Sequence, residues 1–216
     1  MTDLASQLQQ CSTAGVFDVL RINGLPIIEL PRTIRPLAKG MKLAGPIFTV
    51  EGRPDSTISA DESLALFIKH VLSGATPGHV VMCQPNDHSR SAMGDLAAEA
   101  LRQRKIRGYY IDGGSRDADE IAEIGFPVFC AYTSPIDIVG TWRLTATQAP
   151  IQIGGITVHP GDYILADSDG ALLLPQAHAA FIIAQSVLTL TTDTAMRRDI
   201  RAGRDPYDAF LEYAKL

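Results

Sequence analysis

Asp95 is followed, after residues 96–115, by the pair Arg116-Asp117, and each half of this pattern stands where a helix should begin. Asp95 lies in Ala92-Met93-Gly94-Asp95-Leu96-Ala97-Ala98-Glu99-Ala100-Leu101, a loop running into strong helix formers. Arg116 and Asp117 follow the apolar run Tyr109-Tyr110-Ile111 and a Gly113-Gly114 turn, and Ala118-Asp119-Glu120-Ile121 then opens a second helix. The first turn of a helix presents unpaired N–H groups and a partial positive charge. Two carboxylates and a guanidinium beside two such termini suit a divalent cation together with a small carboxylate substrate.

The same positions also admit a purely structural reading. Asp117 stands three residues before Glu120, the spacing of a capping box, and an N-cap is worth about 1 kcal/mol. Asp95 could likewise cap a helix that starts at Leu96. Arg116 has no such explanation, because a cation directly before a helix start gains nothing from the macrodipole. Its fork calls for an anion: Asp95 and Asp117, or a substrate carboxylate held by two parallel hydrogen bonds. Gly94 to Ala97 form a second anion-binding element if Asp95 turns away from capping. The Leu96 and Ala97 N–H groups are then free, and Gly94 lets a ligand approach the backbone.

Other polar clusters carry less. Asp162, Asp167 and Asp169 lie in Pro-Gly-Asp and Asp-Ser-Asp-Gly contexts, which are turn chemistry, and the twelve-residue calcium loop is missing. None of the five histidines pairs at a metal-ligand spacing; only His88, in Asn86-Asp87-His88-Ser89-Arg90, comes near the candidate site. There is no GxSxG, P-loop or GxGxxG, so covalent serine catalysis and nucleotide cradling have no support.

With 216 residues and 46% hydrophobic content the chain can build one sizeable core, and one domain is expected over 1–216. A net charge of -5, with the only basic cluster (Arg197, Arg198, Arg201, Arg204) interrupted by acids, argues against a nucleic-acid surface. The three cysteines have no metal spacing and fit a reduced compartment; with no export signal in Met1–Gln7, a cytoplasmic location is expected. No apolar stretch approaches the roughly 20 residues of a membrane span, so no membrane partner is expected.

The elements that must position these residues alternate. A helical pattern over 3–21 breaks near Gly15, and Ala44–Val50 reads as a strand. Asp61–Ser73 has helical spacing, and His79–Cys83 reads as a strand. Helix 95–105, strand 107–112, helix 117–124 and strand 127–130 then give a βαβ-like unit with partly parallel pairing. Beyond Trp142, four short apolar runs separated by turn sequences predict a compact β meander, and a long helical extension occupies about 176–216, kinked at Gly203–Pro206. The fold class is α/β (α+β).

The motifs in order are Gly94-Asp95-Leu96, Ile111-Asp112-Gly113-Gly114-Ser115-Arg116-Asp117, Gly125-Phe126-Pro127-Val128 and Pro160 through Gly170. Over about residues 12–175 the chain resembles the RraA-like family, which contains 4-hydroxy-4-methyl-2-oxoglutarate aldolase and the regulator of ribonuclease E activity A. Its hallmark is Asp, twenty residues, then Arg-Asp. The resemblance implies an α/β/β/α layered sandwich like the swivelling phosphohistidine domain, assembled as homotrimers or homohexamers with the active site between subunits. It implies a divalent-metal-dependent lyase releasing pyruvate from a small 2-oxo acid and also decarboxylating oxaloacetate. Asp117 would ligate Mg²⁺ (or Mn²⁺ or another divalent metal) directly and Asp95 through a water. Asp95 and Arg116 would be the catalytic pair, with Gly94, Asp95, Leu96, Ala97 and Arg116 binding the pyruvyl moiety.

Aldolase members add a glutamate from a neighbouring subunit's C-terminal helix. The corresponding stretch 191–200 has none; Asp193 is the best substitute, and Asp199 is the alternative. The extension after residue 175 favours the enzyme branch over the regulators. The alternatives are a sugar-acid dehydratase or aldolase using the same site, and a non-catalytic regulator of ribonuclease E activity. The segments Asp55–Asp61 and Ile136–Arg143 are candidates for setting the substrate.

Overall fold

The computed structural model describes residues 3–213, apart from the side chains of 191–194. It opens with α1 (Leu4–Leu8) and α2 (Thr13–Ile22). The break expected near Gly15 falls instead at Gln9–Ser12. The Ser12 hydroxyl accepts the Gly15 N–H at 3.1 Å, which places Gly15 in the first turn of α2. There follow β1 (Arg35–Pro36), β2 (Leu43–Pro54) and α3 (Ala60–Phe67), which continues as a π-helical turn over Ile68–Leu72.

The alternating unit comprises β3 (Val80–Gln84), α4 (Asp95–Gln103), β4 (Gly108–Ile111), β5 (Gly114–Ser115), α5 (Ala118–Ile124), β6 (Val128–Cys130) and β7 (Tyr132–Thr133). Then come β8 (Trp142–Thr147), β9 (Ile151–Ile153), β10 (Ile156–Val158), β11 (Tyr163–Ala166) and β12 (Ala171–Leu174). The helices α6 (Gln176–Arg201) and α7 (Pro206–Tyr213) follow, the expected kink being a full break.

The main sheet runs β1-β6-β4-β3-β2-β11-β12, with β8 also paired to β2. The pairs β2–β3, β3–β4 and β4–β6 are parallel, as crossover helices require. The expected meander is corrected. β9 and β10 form a separate hairpin, whereas β11 joins the main sheet between β2 and β12. Strand β2 makes this possible by its length: Leu43–Pro46 pair with β11, Ile47–Glu51 with β3, and Val50–Pro54 with β8.

Alternation along the strands builds separate cores. On β4, Tyr109 faces the helical side with Phe126 and Trp142, while Tyr110 faces the opposite core and stacks on Phe129 at 6.1 Å. Ile47, Val80 and Met82 share that second core with Ile164 and Leu173 of the antiparallel end, so the mixed sheet curls around it. Leu165, Leu172 and Leu174 turn outward beneath α1, α2 and α6. All three cysteines are buried, and burial pushes the Cys83 thiol up to about 12 and Cys130 to about 11.

One smaller expectation is revised, and the structural reading of the acidic turns is met. Helix α6 is long and apolar enough to cross a membrane by length and composition alone. The run from Gln176 to Thr192 contains no Asp, Glu, Lys or Arg, contrary to the expectation that no stretch approaches a span. In the fold its Ala179, Ile182 and Ile183 are buried against the outer face of the sheet. The acidic turns are structural. Asp162 accepts the His159 and Gln176 N–H groups, and Asp167 accepts both the N–H and the hydroxyl of Thr13, tying α2 to the end of β11.

Candidate active site

Three backbone segments are stitched into a platform at the ends of β3, β4 and β6. Ala92 N–H donates to Gly114 O (3.0 Å), Arg116 N–H to Met93 O (2.9 Å), Ser91 N–H to Ile136 O (2.8 Å) and Ser134 N–H to Ser115 O (3.0 Å). Gly114 is therefore part of a short strand rather than a turn; a Cβ there would lie 2.8 Å from the Arg90 carbonyl oxygen. Segments distant in sequence hold one another, so the side chains they carry are fixed relative to each other.

On this platform the residues of the Asp-x20-Arg-Asp pattern meet. Asp117 Oδ2 accepts the Asp95 N–H at 3.2 Å and lies 3.3 Å from Arg116 Nε. The capping-box reading of Asp117 is thereby overturned. Asp117 adopts a left-handed backbone (φ 55°, ψ 47°) and makes no cap on α5. That conformation, tolerated by Asp, aims the carboxylate at the neighbouring helix. Asp95 does not cap a helix from Leu96 either: α4 begins at Asp95 itself, with extended Gly94 before it.

Gly94 matters for a reason other than ligand approach. A Cβ there would sit 2.7 Å from Asp117 Oδ2 and 3.2 Å from Arg116 Nε, so glycine makes room for the pair itself. The N–H groups of Leu96 and Ala97 have no hydrogen-bond partner among the described residues. The Asp95 carboxylate and Asp117 Oδ1 carry none either. Among the described residues no three His, Cys, Asp or Glu side chains form a metal cage. The available donors are carboxylate oxygens alone, a set that fits a hard cation retaining most of its waters.

Sequence reasoning missed Asp137. Its Oδ2 accepts from Arg116 Nη1 at 2.8 Å, so the guanidinium is held between Asp117 and Asp137 with all three side chains about one-third exposed. The only signal was an acid within the unexplained segment Ile136–Arg143. That segment forms one wall of a cavity of about 320 Å³ through Asp137, Ile138 and Val139. The floor is Ala92 to Ala97 with Arg116, and the opposite wall is α3 with the π-helical turn. The Asp55–Asp61 loop acts at one remove. Ser59 caps α3 by accepting the Glu62 N–H, and Asp55 accepts from Arg143 Nε at 2.7 Å, which with the Thr57 hydroxyl holds its carboxyl well below the usual range.

One candidate is not brought in. His88 is exposed and does not line the cavity. The side chain of Asp193 lies outside the described residues.

The structure is a mixed α/β fold with an uncapped α4 terminus beside an arginine and three acids, and the comparisons narrow its class. The family model "RraA-like: Aldolase/RraA" matches residues 13–173, and the chain belongs to this family. Over 97% of its length it is 27% identical to a protein of Halalkalibacterium halodurans named "Putative 4-hydroxy-4-methyl-2-oxoglutarate aldolase", covering 94% of that protein. It is 28% identical over 99% of its length to Protein DlpA of Legionella pneumophila, of which it spans only 34%. The crystal structure of Streptomyces coelicolor RraAS2, described as an unusual member of the RNase ES inhibitor RraA protein family, superposes with a TM-score of 0.73 at 26% identity, covering 90% of this chain and 95% of that one.

Proposed function

We propose that the protein is a divalent-metal-dependent lyase that cleaves a 4-hydroxy-2-oxo acid to pyruvate and decarboxylates oxaloacetate at the same site. The observation that carries this reading is that Arg116 and the free N–H groups of Leu96 and Ala97 meet at one cavity, with Asp117 held against Arg116 and the Asp95 N–H beside it. Arg116 and those N–H groups bind the 2-oxo acid carboxylate and keep it oriented. Mg²⁺, Mn²⁺ or another divalent cation, held by Asp117 directly and Asp95 through a water, would polarise the 2-oxo group as a Lewis acid. Breaking C3–C4 leaves the electron pair on C3 as an enolate, while C4 becomes a carbonyl as the 4-hydroxyl loses its proton toward Asp95. The preorganised donors lie beside the charge that develops. Oxaloacetate gives the same enolate by losing CO₂, with no base required.

The names of relatives and the Asp-x20-Arg-Asp geometry support this reading. The finer fold assignment, an α/β/β/α sandwich resembling the swivelling phosphohistidine domain, is supported by helices on two outer faces of the curled sheet. A homotrimer or homohexamer fits the exposed apolar residues Leu96 and Ile136 near the cavity, where a second copy would complete the site. We also place the protein in the cytoplasm with no nucleic-acid or membrane partner, on its acidic charge and reduced cysteines.

Pyruvate release, coupled to NADH oxidation by lactate dehydrogenase, tests the proposal with oxaloacetate and 4-hydroxy-4-methyl-2-oxoglutarate. Turnover should require Mg²⁺ and stop with excess EDTA; turnover insensitive to EDTA would sink the metal assignment. The likeness to RraAS2 favours a second reading, a regulator that binds an RNA-degrading enzyme. Silence on both substrates together with micromolar capture of a ribonuclease E would establish it instead.

A further inference from the structure

Arg116 reaches the cavity on a long side chain with many rotamers. Fixing such a chain on a ligand costs roughly two- to tenfold in affinity unless something holds it beforehand. Two carboxylates do so here. Asp117 Oδ2 lies 3.3 Å from Nε, and Asp137 Oδ2 accepts from Nη1 at 2.8 Å. The two acids are tied to different parts of the site. Asp117 also accepts the Asp95 N–H, whereas Asp137 Oδ1 accepts the Val139 N–H of its own loop at 3.1 Å. That loop is bound in turn. Ser91 and Asp137 form a parallel bridge, Ser91 N–H donates to Ile136 O at 2.8 Å, and Ser91 Oγ donates to Ser134 O at 2.6 Å. Ser91 stands in the same short segment as Gly94, so the backbone that leads into α4 also carries the anchor of the arginine. Each of these contacts lies within one chain, and none depends on a second copy.

We infer that Asp137 is a positioning residue: it holds the Arg116 guanidinium in register with the α4 terminus, so that one substrate carboxylate meets both. This rests on the lyase reading and adds a residue to it. Asp137 touches no reacting atom in this role and acts through Arg116. Both side chains of the pair are partly exposed, where an ion pair contributes little to folding, so its loss should appear in substrate binding rather than in stability. The direction of the effect separates positioning from plain charge. A further acid beside Arg116 weakens the attraction an anionic substrate meets, and on charge alone its removal would tighten binding. Removal of an anchor loosens it instead, because the guanidinium no longer waits in the binding geometry.

A double-mutant cycle tests this, read out as kcat and KM for oxaloacetate decarboxylation with Mg²⁺ and as the calorimetric affinity for oxalate, a planar dianion that mimics the pyruvate enolate. In Asp137→Ala, KM should rise roughly tenfold with kcat changed less than threefold, and oxalate should weaken by a similar factor. Asp137→Asn, whose single carbonyl oxygen can serve Arg116 or Val139 but not both, should show a smaller rise. In an Arg116→Ala background the change Asp137→Ala should alter neither readout by more than twofold, since no guanidinium remains to be placed. Equal losses with and without Arg116 would show a merely structural role and overturn the inference. Tighter oxalate binding, or an unchanged KM in an active Asp137→Ala enzyme, would overturn it while the lyase reading stands. Oxalate binding that depends on Asp137 through Arg116, in a protein without turnover, would remove the lyase reading and keep the positioning role. Neither turnover nor oxalate binding by the parent would overturn both.

Discussion

The helix starts of this molecule fall into two groups. Ser12 and Ser59 each accept an N–H from the first turn of α2 and α3 at 3.1 Å, and Asp162 accepts from Gln176 at the start of α6 at 3.0 Å. Around the cavity the pattern is reversed. Gly94 has no side chain to cap α4, and Asp117, at the start of α5, turns its carboxylate to the Asp95 N–H instead. Capped termini contribute stability, whereas an uncapped terminus leaves N–H groups free for the proposed substrate carboxylate. The two groups should therefore respond oppositely to mutation.

The largest effect is expected for Asp117→Asn, which keeps the volume and the tolerance for a left-handed backbone but removes the charge. Turnover should fall by about a thousandfold, with the melting temperature within a few degrees of the parent; near-normal turnover would break the comparison. Gly94→Ala should come next. Its Cβ, 2.7 Å from Asp117 Oδ2, must displace the Arg116–Asp117 pair, and kcat/KM should drop roughly tenfold to a hundredfold. Ser12→Ala tests the capped group: about 1 kcal/mol of stability is lost, or roughly 2–4 °C in thermal melting, with kinetics unchanged.

The smallest effect concerns acid. The Arg143 guanidinium, followed by the Thr57 hydroxyl, lowers the Asp55 carboxyl in the folded protein. A depressed carboxyl contributes stability that is present above its unfolded value of about 4 and is lost as pH falls below it. Asp55→Asn should thus destabilise the protein at neutral pH and flatten the acid limb of a melting-temperature profile. A parallel offset of the two profiles at every pH would count against it.

Much of this architecture was legible locally. The βαβ alternation, the spacing that brings Asp95 to Arg116-Asp117, and the four short strands after residue 150 follow from periodicity and turn residues. The side-chain role of Asp117 was not, because Asp before a helix reads as a cap, and only its positive φ redirects the carboxylate. Nor could Asp137 be assigned, since its link to Arg116 depends on the Ser91–Ile136 backbone bond between separate loops.

Local pattern was enough for the longer helices and the main strands, because side-chain period and turn chemistry act over a few residues, but not for the two-residue strands or for β8. It also carried the family, through the order and spacing of its motifs. Only the folded chain settles that β11 parts from the β9–β10 hairpin to pair with β2, that Thr13 is held by Asp167, and that Arg116 is shared by two acids. These choices depend on which distant surfaces bury together and which backbone groups remain to be paired, and no local pattern along the chain encodes them.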